Sequence, residues 1–139
     1  MVACVKLDSS AFLADHELVE TLEKRSVPVV CEEDRLLFRQ GDTPTGLYIL
    51  RQGDVTLTLN SPSGETVLCL KPVVGSLLGL PGLVGNEPYS LSANASKDSA
   101  FSFLARKDFE DMMQNDPSLP LKVLHFLAAE VRAARQALL

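Results

Sequence analysis

The sequence predicts a mainly β domain, a sandwich or barrel, with helical segments at both ends. Two observations carry this. Between residues 27 and 104, short apolar runs, several alternating at a period of two, are separated by Gly, Pro, Asn and Asp turn residues. Outside that stretch, apolar residues recur at the spacing of a helix face. No strand is followed by a crossover helix, so a parallel α/β sheet is not expected.

The first segment, residues 1–26, reads as helical from about Ser9 to Arg25. Ser9 or Ser10 stands where an N-cap belongs, and Phe12, Leu13, Leu18, Val19 and Leu22 form the stripe. Lys24 and Arg25 close the last turn, where cations complement the helix dipole. Asp15 offers a second cap, so two short helices are the alternative.

Residues 27–105 hold the strands. Leu36-Leu37-Phe38 runs into a turn at Gln40-Gly41-Asp42, and Leu47-Tyr48-Ile49-Leu50 into another at Gln52-Gly53-Asp54. Val55, Leu57 and Leu59 alternate with Thr56 and Thr58, as in a half-buried strand. Asn60-Ser61-Pro62-Ser63-Gly64 has the composition of a hairpin loop, and Thr66 to Leu70 is the returning strand. Leu91, Ala93 and Ala95 alternate with Ser90, Ser92 and Asn94, while Phe101 and Phe103 share a face opposite Ser102.

Residues 106–139 are helical again. Arg106 to Asn115 forms a short helix that Asp116-Pro117 ends, because proline disfavours helix for its predecessor. A longer helix, about 118–139, starts with Ser118 as N-cap and Pro120 in its first turn. Leu121, Leu124, Ala128, Val131, Arg135 and Leu138 step along it by three, four, three, four and three, a short a/d heptad seam. Such a helix packs on its own barrel, pairs with a second copy, or does both on different faces.

Composition narrows the function. The chain has 13 basic and 18 acidic residues, a net charge of −5, without the basic excess that phosphate neutralisation demands of a nucleic-acid binder. Three cysteines, Cys4, Cys31 and Cys69, are widely separated in apolar settings and form no C-x-x-C pair. They read as small hydrophobes, and reduced thiols fit a cytoplasmic location. No stretch reaches the ~20 apolar residues of a membrane helix, and the N-terminus lacks the pattern of a signal peptide.

Catalytic chemistry finds no home. The two histidines, His16 and His125, both fall in helical segments, so a strand-borne His-x-His metal site of the cupin kind is not expected. Gly-x-Ser-x-Gly is absent, and Glu32, Glu33 and Asp34 read as a solvated loop. No catalytic residue, metal or cofactor is assigned.

The stretch from Val74 to Ser90 stands apart. It places four glycines in eleven residues, Gly75 to Gly85, among leucines. Glycine allows positive φ and close approach of backbone to a ligand, and a helical turn after it presents free N–H groups. A bulged connection buried for packing is the alternative.

The order of these elements resembles the regulatory domain of the catabolite activator protein/FNR superfamily over nearly the whole chain. Its carriers are Leu37-Phe38-Arg39-Gln40-Gly41-Asp42, Leu47 to Val55, Gly75-Ser76-Leu77-Leu78-Gly79-Leu80 and the junction at Asn115-Asp116-Pro117. The resemblance implies a cyclic-nucleotide-binding-type jelly roll, or double-stranded β-helix, with its cassette at 75–90 and a dimerisation helix at 118–139. In relatives that bind cyclic nucleotide, a glutamate holds the ribose and an arginine, followed by Ser or Thr, holds the phosphate. Those positions fall here on Leu80, Tyr89 and Ser90, and a base-contacting hydroxyl position falls on Ala134. A buried phosphate without its arginine costs several kcal/mol, so cyclic AMP and cyclic GMP are not expected ligands.

The candidate pocket residues are Leu78, Gly79, Leu80, Pro81, Tyr89 and Ser90. They hold a more apolar molecule, or Leu80 and Tyr89 fill the corner themselves, with the balance towards the filled corner. The candidate dimer contacts are the six seam residues. The resulting expectation is a homodimeric, non-enzymatic sensing module without a DNA-reading helix of its own, since the chain stops at Leu139. The alternative is a ligand-free module that pairs with full-length regulators.

Overall fold

The apolar run Leu47–Leu50 needs cover on both faces, and the fold supplies two cores. The computed structural model describes residues 10–139. Strands β1 (Val27–Val30), β3 (Gly46–Gln52), β6 (Leu77–Leu78) and β8 (Ala100–Ala105) form one antiparallel sheet in the order β1-β8-β3-β6. Strands β2 (Arg35–Phe38), β4 (Val55–Asn60), β5 (Thr66–Leu70) and β7 (Ser92–Ala95) form the other, in the order β2-β7-β4-β5. Every strand pair is antiparallel.

Successive side chains of a strand point to opposite faces. Tyr48 and Leu50 of β3 therefore join Phe38, Leu57 and Phe101 in the core between the sheets. Leu47 and Ile49 join Leu77 and Leu104 in a second core under the helices. The register carries this through the sheet, with Tyr48 opposite Phe103 and Leu47 opposite Leu104. Each buried leucine contributes about 1.5–3 kcal/mol.

Three helices close the second core: α1 (His16–Glu23), α3 (Arg106–Asn115) and α4 (Leu119–Gln136). Leu18 and Leu22 of α1, Phe109 and Met112 of α3, and Leu119, Val123 and Phe126 of α4 are buried in it. A shorter helix, α2 (Leu80–Gly85), follows the glycines of the cassette. Among the described residues, no helix is long and apolar enough to cross a membrane.

Several local expectations are corrected. The first helix starts only at His16, with Asp15 in the cap position but no side-chain cap bond; Ser9 and Cys4 lie outside the described residues. Arg25 lies beyond the helix end and pairs with Asp108 and, at 3.7 Å, Asp111, tying α1 to α3. Ser118 does not cap α4, since its φ of −86° and ψ of −20° are already helical. Asp116 takes over: its Oδ1 accepts from the Ser118 N–H at 3.0 Å and the Ser118 hydroxyl at 2.8 Å. Those bonds hold the Asp116 carboxyl below its ordinary range. Of the thiols, Cys31 is buried and Cys69, on β5, is half-buried.

Candidate functional site

The cassette turns on Gly79. Its φ of 90° is left-handed, and a Cβ there would stand 2.9 Å from the Tyr89 ring, so only glycine fits without strain. Gly79 leads into α2, where Pro81 lies in the first turn, and Asn86 ends the helix with φ 54°.

The segment after α2 folds back and is pinned by its backbone. The Tyr89 N–H donates to Asp42 O at 2.9 Å, and the Gly41 N–H donates to Tyr89 O at 2.8 Å. This seats the Tyr89 ring against Phe38. Its hydroxyl donates to Gly46 O at 2.7 Å and accepts from the Thr45 N–H at 3.1 Å. The phenol thus bonds to the start of β3 within the chain. Tyr89 occupies the place where the resemblance puts a phosphate-binding arginine.

Beside that ring a cavity of about 580 Å³ opens between the sheets and α4. Phe38, Leu57, Leu59 and Leu68 wall it from the second sheet's side, and Leu127, Glu130, Val131 and Ala134 from α4. Leu78, Gly79, Pro81, Tyr89 and Ser90 line it. Leu80 does not. It is fully buried in the core beneath the helices, because α2 turns its apolar face, with Leu80 and Leu83, away from the cavity. The corner is therefore filled by Tyr89 alone, and space remains. Ala134, the position the resemblance gives to a base contact, lies on the wall.

Among the described residues, no lysine or arginine lines the cavity, and Glu130 is the one carboxylate that does. Oε2 of Glu130 is buried and has no hydrogen-bond partner among the described residues. Burial pushes this carboxyl up to about 8. Sequence reasoning did not single out Glu130. A signal existed: it falls seven residues after Val123 and four after Phe126, on the buried stripe of α4.

The seam lies on a different stripe. Leu121, Leu124, Ala128, Val131, Arg135 and Leu138 are all exposed, Leu124 by 58 % and Leu138 by 78 %. Helix α4 thus packs on the barrel through Leu119, Val123 and Phe126 while its heptad face stays uncovered. His125 is exposed as well. Val131 belongs to both surfaces, half-exposed on the seam and lining the cavity.

Comparison with known proteins agrees with this architecture. The chain is 26 % identical over 133 residues to the transcriptional activator protein Anr of Pseudomonas protegens, covering 96 % of this chain and 53 % of Anr. It thus spans about half the length of that relative. The catabolite activator protein of Thermus thermophilus superposes with a TM-score of 0.72 at 26 % identity, over 89 % of this chain and 58 % of that one. The sensor domain of the transcriptional regulator DNR from Pseudomonas aeruginosa shares the fold, with a TM-score of 0.69 at 21 % identity and 87 % of each chain covered. The sequence profile of the cyclic nucleotide-binding domain matches residues 28–116, strands and short helix together. The chain belongs to the cyclic nucleotide-binding domain family, with catabolite activator protein/FNR-type regulators among its relatives.

Proposed function

We propose that this chain is a non-enzymatic regulatory module that holds a largely apolar small molecule between its sheets and α4. It pairs with a second copy through the seam at Leu121, Leu124, Ala128, Val131, Arg135 and Leu138. Cyclic AMP and cyclic GMP are not its ligands, because the described residues that line the cavity offer a buried phosphate no cation.

The observation that carries this reading is the double membership of Val131, which contacts both the cavity and the exposed seam. A molecule pressing on the α4 wall meets the same side chain that a partner helix would cover. A heptad face is also self-complementary: the same residues serve both sides of a two-fold axis.

Light scattering after size exclusion tests the pairing. The expected mass is about twice 15.1 kDa, and Leu124→Lys, on the exposed stripe, halves it while the circular dichroism spectrum stays that of the folded chain. A single-copy mass for the unaltered chain at high concentration overturns the proposal.

A second reading has one observation in its favour: Tyr89 already closes the phosphate corner with bonds inside the chain. In that reading the cavity takes no ligand and the seam pairs with longer regulators. A thermal-shift panel separates the two, since a ligand at a hundred times its Kd adds about 2.7 kcal/mol.

A further inference from the structure

Resting on the reading of the cavity as a ligand site, we infer that its ligand carries an apolar body and one basic nitrogen, which Glu130 receives. The cavity's volume, about 580 Å³, lies within the range of roughly 300–1,000 Å³ typical of small-molecule sites. Its walls are almost wholly aliphatic and aromatic, so affinity for a molecule's body comes from removing apolar surface from water.

Three groups break the apolar lining: Tyr89, Ser90 and Glu130. The Tyr89 hydroxyl is taken by Gly46 and Thr45. Ser90 is exposed. Glu130 alone keeps a buried oxygen without a partner. A buried acceptor left unpaired is costly, and an apolar residue at this position on the stripe would avoid that cost. The carboxyl therefore marks where a ligand's polar atom belongs.

The sign of that atom follows from what surrounds it. Among the described residues lining the cavity, none is a cation. An anionic head meets a like charge once Glu130 ionises, and a desolvated acid while it does not. A neutral hydroxyl satisfies one hydrogen bond. An ammonium supplies several charge-assisted hydrogen bonds, which are roughly twice as strong as neutral ones. It also restores the carboxylate to its charged form, because an opposite charge within contact lowers a carboxyl's pKa. Near pH 7 the amine arrives protonated and Glu130 releases its proton as the pair forms, so charge and protons balance.

Octylamine, octanol and octanoate test this, since their equal apolar tails hold burial constant. By calorimetry near pH 7, octylamine should bind about tenfold tighter than octanol, a difference of about 1.4 kcal/mol, with octanoate weakest. Its heat should vary with buffer ionisation enthalpy, reporting proton release. Glu130→Gln, close in shape, should bring octylamine and octanol to equal affinity. Glu130→Leu is the second variant, expected to show no preference for the amine over octanol. Equal binding of octanol and octylamine by the unaltered chain, or an amine preference surviving Glu130→Gln, overturns the inference alone. If none of the three binds, the reading of the cavity as a ligand site falls with it.

Discussion

The Tyr89 ring lies stacked on that of Phe38, centroids 4.1 Å apart and planes inclined by 23°. Aromatic pairs add about 0.5–1.5 kcal/mol beyond the area they bury. The contact joins the end of the cassette to the strand that precedes the first turn. It makes Tyr89 part of the wall rather than a group that reaches for a ligand.

Removing the phenol's hydroxyl isolates its contribution. Tyr89→Phe keeps the stack but leaves Gly46 O and the Thr45 N–H without their side-chain partner. We expect a loss of about 1–2 kcal/mol in urea unfolding with an unchanged slope. A loss below ~0.3 kcal/mol would mean that those groups find water instead.

Gly79 should tolerate no side chain. Gly79→Ala forces an alanine to φ 90° and drives its Cβ to 2.9 Å from the Tyr89 ring. The expected destabilisation is about 1–3 kcal/mol, read by thermal melting. By contrast, Gly64 has positive φ but open space around it, so Gly64→Ala should show the backbone penalty without the clash.

Stability should fall with rising pH through Glu130. The folded carboxyl holds its proton up to about 8, against 4.5 for a solvated glutamate, so between these limits the folded chain binds more protons than the unfolded one. The contribution is complete below the unfolded value and is lost as pH passes the folded one. Glu130→Gln should match the unaltered chain near pH 4 and exceed it by about 2–4 kcal/mol near pH 9. Parallel pH profiles for the two proteins would contradict the raised value.

Cyclic nucleotides provide the plainest check of the altered cassette. Cyclic AMP and cyclic GMP at millimolar concentration should leave the melting temperature within about 0.5 °C of the apo value. Micromolar binding of either would require a cation that is absent among the described residues of the cavity wall.

Much of the fold was legible because it depends on local rules. Alternation placed β4 and β5 around the Asn60–Gly64 loop, and the chain does pair Leu57 with Leu70 and Leu59 with Leu68 there. The proline at 117 ended α3 where expected. Strands β1 and β6 were not singled out, because they are short, and β1 leaves Val27 and Val30 exposed at the sheet edge with no apolar alternation to read. The seam of α4 was visible in the spacing, but nothing local says that the barrel covers Leu119, Val123 and Phe126 instead.

By itself, the sequence determined the element types, the mainly β class and the glycine-rich cassette, all properties of residue identity and short-range spacing; the phosphate-binding positions at Leu80 and Tyr89 came from the family resemblance. Tertiary structure decided which neighbours share a space. It sent Leu80 into the helical core and left Tyr89 at the cavity, though the motif had paired them. It also enclosed Glu130 in an apolar wall. The physical reason is that burial depends on residues distant in the chain: a helix stripe records that one face is apolar, while only the packed sheets decide what that face meets.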